Sequence, residues 1–144
     1  MTFDAPTLVP EFDVFDLDRS LAVYVGVFGF RRLFDRPEER FSYLVREGAH
    51  LMLEEAAGPG RRFHMAPLDY PFGRGLNLQI QVSNVGALYA DVQRSSVKIL
   101  FPLEERWYRQ NESEAGNRQF VVADPDGYIL RFFQSLGRRP FQNL

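Results

Sequence analysis

VPEFDVFD, residues 9–16, decides the fold, because LQIQVSN at residues 78–84 restarts the same pattern in the second half of the chain. Each stretch is β-rich and ends on a good helix cap, Asp16 in the first copy and Asn84 in the second. Leu17, Leu21, Tyr24 and Phe28 then recur at helical spacing and make one apolar face, with Gly29 as the stop. Val85, Leu88, Tyr89 and Val92 do the same after Asn84. Strands are predicted at residues 30–35, 41–46 and 50–54 in the first copy, and at 98–101, 117–123 and 128–134 in the second. The copies close on AHLMLE, residues 49–54, and on ADPDGYILRFF, residues 123–133. Strand, helix and three strands, written twice, predict an α+β fold of two pseudo-symmetric βαβββ modules.

Working outward from the repeat gives boundaries. The expectation is a single domain over residues 1–144, with modules at 7–55 and 76–136, a joint at 56–75 and a tail at 137–144. The joint holds Gly58, Pro59, Gly60, Pro67, Pro71, Gly73 and Gly75, so it should be irregular. It also carries Phe63, His64, Met65, Tyr70 and Phe72, which predicts that it packs on the domain or covers an opening. The basic, proline-containing tail is expected to be poorly ordered. Pro10 cannot donate to a ladder, which places it at the start of an edge strand. With fourteen Phe, six Tyr and one Trp to bury in 144 residues, that edge points to a homodimer.

Composition narrows the function. Seventeen basic and nineteen acidic residues give a formal charge of -2, which argues against nucleic acid as the main partner. The chain has no cysteine, hence no disulfide framework, thiolate zinc site or catalytic thiol. No apolar run approaches the ~20 residues of a membrane span, and residues 1–10 lack the apolar core of a signal peptide. A cytoplasmic protein without a membrane partner is the expectation. Gly-x-Ser-x-Gly, Walker-type and Gly-x-Gly-x-x-Gly motifs are absent, and no catalytic residue is assigned.

The chain resembles the vicinal-oxygen-chelate superfamily, and within it the bleomycin-resistance proteins. The resemblance rests on Val9-Pro10, Asp16-Leu17, Phe28-Gly29-Phe30, Phe34, Leu88-Tyr89-Ala90, and GNRQF at residues 116–120 leading into DPDG at 124–127. It spans roughly residues 6–134, and its most specific part is the DPDG turn before an apolar strand. It implies curved mixed sheets, a dimer, and stoichiometric capture of a drug in aromatic-lined crevices between subunits. For enzymes of the superfamily it implies His, Glu or Gln on the first and last strands of each module. The corresponding residues are Val9, Met52, Asn77 and Arg131, so no metal and no cofactor are expected. The two histidines, His50 and His64, lack the spacing to build a site with Glu54 or Glu55.

The ligand expected instead is a small molecule, aromatic and cationic. Phe34 matches a crevice-lining position and Phe41 lies close to another. Trp107 and Tyr108 offer rings for stacking, although neighbours on a strand cannot both point inward. Glu104 and Glu105 would draw a cationic tail. Gln79, Asn117, Arg118 and Arg131 complete the candidate set. Where drug-binding relatives stack a ring, this chain has Gln79 and Gly116, so two of four stacking groups are gone unless Trp107 replaces one in space.

Overall fold

The structure is a computed structural model that describes residues 3–142. It divides into two compact units, one reaching Phe72 and the other starting at Gly73. The division falls inside the expected joint.

The first unit holds β1 (Glu11–Val14), α1 (Leu17–Gly26), β2 (Arg31–Arg36), β3 (Phe41–Arg46) and β4 (Ala49–Glu55), in the sheet order β1-β4-β3-β2. The β1·β4 pair is parallel and the other pairs are antiparallel. Asp16 caps α1 by accepting from the Arg19 N–H at 3.3 Å, as its sequence position requires. The predicted apolar residues are all buried: Leu17, Leu21 and Tyr24 on the helix, and Phe28 just past its end. Phe12, Val14, Leu44, Leu51 and Leu53 line the helix side of the sheet and are buried with it. Pro10 stands just before edge strand β1, and its carbonyl accepts from the Met52 N–H at 2.9 Å.

The second unit holds β5 (Asn77–Gln81), α2 (Val85–Gln93), β6 (Lys98–Gln110), β7 (Ser113–Ala123) and β8 (Ile129–Pro140), in the order β5-β8-β7-β6. Asn84 caps α2 through the Ala87 N–H at 3.1 Å. Tyr89 on α2 meets Phe120, which meets Phe132, at ring separations of 5.0 and 5.6 Å. The DPDG turn has a local cause. The Asp124 carboxylate accepts from the N–H groups of Asp126 and Tyr128, both at 2.9 Å, and Gly127 takes φ 87°. Gly73 is required beside this turn, because a Cβ there would stand 2.8 Å from the Tyr128 Cα.

The second unit departs from expectation in length. The strand expected to end at residue 101 runs to Gln110, absorbing Pro102 through register shifts between Ile99 and Glu104. Residues 137–140, expected as loose tail, continue β8 and pair with β7 from Ser113 to Gly116. A bulge at Gly116 and Asn117, with Gly137 at φ 92°, carries the strand past the point where its apolar alternation ends. Tail residues 143 and 144 lie outside the described residues.

The repeat is also a repeat of register. Glu11 stands opposite Met52 and Asp13 opposite Glu54 in the first sheet; Gln79 stands opposite Arg131 and Gln81 opposite Phe133 in the second. Each sheet therefore presents a matched set of side chains on the face turned away from its helix.

Candidate functional site

That face is covered in the first unit. Phe41, Tyr43 and Val45 form a buried cluster with Val9, Leu33, Phe34 and Met52 around it. Phe34 stacks on Tyr43 at 5.0 Å and meets Phe41 at 6.0 Å, while Phe3 lies over Phe34 and Tyr43 at 5.7 and 5.2 Å. Phe34 and Phe41 are thus together, inside a packed cluster rather than on an open wall.

Beside the rings lie three carboxylates, Glu11, Asp13 and Glu54. The joint returns over them. Arg62 pairs with Glu54 at 3.1 Å and donates to the backbone carbonyls of Glu55 and Glu39, both at 2.9 Å. His64 Nε2 lies 3.1 Å from Asp13. Burial, then the neighbouring Glu11, pushes the Glu54 carboxyl up to about 7 against the pull of Arg62. Glu11 is raised as well, by burial first and then by Asp13. Nearby Glu55 is lowered, held ionised by Arg40 and by the Leu17 N–H. The joint packs on the first unit through Arg62 and His64, while Phe63, Met65 and Tyr70 are exposed.

In the second unit the corresponding face is open. A trough of about 560 Å³ is lined by Gln79, Gln81, Tyr108, Gln110, Asn117, Arg131, Phe133 and Arg138, among others. A second hollow of about 380 Å³ shares Tyr108 and Arg131 and adds Asn77, Phe101, Glu104, Arg106 and Gln119. Arg131 is held at the junction by two amide oxygens, Gln79 Oε1 at 2.7 Å and Asn77 Oδ1 at 3.4 Å. The buried Gln119 amide donates to the Tyr108 hydroxyl at 2.7 Å and to Glu104 at 3.2 Å, which fixes both groups on the floor.

Of the predicted site residues, Gln79, Tyr108, Asn117 and Arg131 come together here. Trp107 and Arg118 do not. Trp107 pairs with Gly116, packs its ring over that glycine and stacks under Arg139 at 3.8 Å, on the face opposite Tyr108. The Trp107 ring thus occupies the space beside Gly116, on the face turned away from the trough. The Arg118 guanidinium lies against Gly86 of α2, 3.4 Å from where a Cβ would stand. Glu104 lines the second hollow and Glu105 lines neither, so the acidic pair is split. Sequence reading missed Gln81, Gln110, Gln119 and Arg138. Strand alternation carried on from Gln79 finds Gln81, and from Asn117 finds Gln119, whereas Gln110 lay beyond the supposed end of its strand and Arg138 in the supposed tail.

The four positions that correspond to the superfamily's metal ligands do not fit a metal ion: Val9 has no donor, Met52 offers only a thioether, and Arg131 places its guanidinium 3.4 Å from Asn77 Oδ1, where the cation would stand. Among the described residues no group of three His, Asp or Glu side chains is arranged to hold one. Likewise, no helix among the described residues is long and apolar enough to cross a membrane.

The sequence profile of the glyoxalase/bleomycin resistance protein/dioxygenase superfamily matches residues 11–132. Bleomycin resistance proteins of Geobacillus stearothermophilus and Staphylococcus aureus are each 26% identical over 139 residues, covering 89% of this chain and 96% of theirs. Among solved structures, TioX from Micromonospora sp. ML1 is similar in fold, with a TM-score of 0.71 at 24% identity over 90% of this chain and 98% of TioX. A protein of unknown function from Agrobacterium tumefaciens is similar at 27% identity with a TM-score of 0.63, covering 94% of this chain and 95% of that one.

Proposed function

Because the chain belongs to the glyoxalase/bleomycin resistance protein/dioxygenase superfamily, we propose that it is a metal-free small-molecule-binding protein of the bleomycin-resistance type. It captures an antibiotic-like ligand stoichiometrically and works in the cytoplasm as a homodimer. The observation that carries this reading is the open trough around Arg131 and Tyr108, in which amide and phenol groups are already oriented by one another. A preformed hollow with a few converging polar groups is the usual form of a small-molecule site. The second reading, a divalent-metal lyase or dioxygenase of the same superfamily, is disfavoured by Arg131 and Met52 at the matched strand positions.

Metal analysis of dialysed protein separates the two. The binding reading expects no stoichiometric zinc, nickel, manganese or iron, together with saturable one-per-chain capture of at least one aromatic antibiotic in calorimetry. About one tightly held metal per chain, with turnover and no capture, contradicts it. Light scattering at micromolar concentration is expected to give the mass of two chains; a monomer mass contradicts the dimer.

A further inference from the structure

We propose that the trough of the second unit is an anion-accepting site, with Arg131 as its anchor, and that its ligand carries a carboxylate or another planar anionic group beside an aromatic or apolar body. The proposal rests on the small-molecule-binding reading and names the ligand chemistry.

The charge balance of the lining comes first. Arg131 and Arg138 line the trough, and Arg106 and Arg131 line the adjoining hollow, where Glu104 is the single carboxylate. The larger hollow has two arginines and no acidic residue. Among the described residues, ion pairs engage Arg32, Arg36, Arg40, Arg46, Arg62, His64, Arg94 and Arg139, and none reaches Arg106, Arg131 or Arg138. Glu104 itself is engaged by the Gln119 amide.

The geometry of Arg131 comes second. Its partners are neutral amide oxygens on β5, one on each terminal nitrogen. They fix the plane of the guanidinium without cancelling its charge. A guanidinium offers five N–H donors in a planar fork, so donors remain for a planar anion arriving from the open side. Half-buried at the meeting point of two hollows, this charge is less screened than one on a free surface. A cationic ligand would meet it as a like charge, which disfavours binding.

The remaining lining fits the same ligand. Tyr108, Gln79, Gln81 and Asn117 supply hydrogen-bonding groups around the anchor, and Phe133, with Phe101 in the second hollow, supplies apolar surface for a ring. The first sheet has the opposite character: Glu11, Asp13 and Glu54 face Arg62 and His64 of the same unit. The net positive opening therefore belongs to the second unit.

Three probes of one shape test the charge: 2-naphthoate, 2-naphthamide and 2-naphthamidine, titrated into the full chain and followed by backbone-amide NMR. 2-Naphthoate is expected to shift Gln79, Asn117 and Ser135 at concentrations about tenfold below those needed for 2-naphthamidine. Arg131→Gln keeps an amide at the position and is expected to weaken 2-naphthoate about tenfold, since a charge-assisted contact is worth roughly that factor or more. Arg138→Gln and Arg106→Gln should each weaken it less, and added sodium chloride should weaken it in the wild type. Tighter binding of the amidine, or unchanged naphthoate affinity in Arg131→Gln, overturns the proposal. Silence of all three probes while other compounds shift the trough also overturns it and leaves the binding reading standing. If no compound of any charge shifts the trough, both fall.

Discussion

At the residue scale the first unit stores an electrostatic conflict. Glu54 is buried against Glu11 and Asp13, and its folded pKa stands at about 7, above the ordinary carboxylate value of 4.5. The folded state therefore holds this proton more tightly than the unfolded chain does. Stability from the site is fully present below about pH 4.5 and is lost as pH rises through about 7. Urea unfolding of the wild type is expected to show this fall between pH 5 and 7.5, and Glu54→Gln to flatten it. An unchanged slope in the variant would show that Glu54 is not the group responsible. Arg62 limits the conflict, and it also ties the joint to Glu39 and Glu55. At pH 8, where Glu54 is ionised, Arg62→Ala should cost about 3 kcal/mol in the same assay, because it leaves a buried carboxylate beside two others, and it should cost less at pH 5. A loss below about 1 kcal/mol would mean that the joint is held by other contacts.

At the scale of elements, the β6–β7–β8 extension decides which side chains meet. Gly116 is the small residue on which the Trp107 ring lies; a Cβ there would stand 2.6 Å from the ring. Gly116→Ala should displace the indole, shift the emission of this lone tryptophan and cost about 1–3 kcal/mol, as overpacking does. In a Trp107→Ala background the same change should cost little, and equal costs in both backgrounds would contradict the contact. Trp107 is thus a poor reporter of trough binding, contrary to what its aromatic character alone suggested. The strand–helix–strand pattern, the caps Asp16 and Asn84, and β3 itself were legible from periodicity and cap chemistry. The lengths of β6 and β8 were not, because Pro102 and the basic run after Gly137 read as breaks. Register shifts and a glycine bulge carry the strands through both, and such devices leave no periodic mark. Phe34 and Phe41 could be placed on the correct face, but alternation says nothing of Phe3 closing over them.

At the scale of the whole molecule, one repeat has produced two faces of different character. The matched register gives both sheets the same positions. In the first unit carboxylates and rings are covered by Phe3, Arg62 and His64, and in the second amides and arginines remain open. The most direct test of this account is a backbone-amide NMR titration of the full chain with a mixed library of anionic, neutral and cationic aromatic compounds. Shifts from the binders are expected to cluster on β5, β7 and β8 around Gln79, Asn117 and Arg131, and to vanish together in a Tyr108→Ala, Arg131→Gln double variant that keeps its fold. Binders whose shifts lie on the first sheet, or that persist unchanged in the double variant, would contradict it.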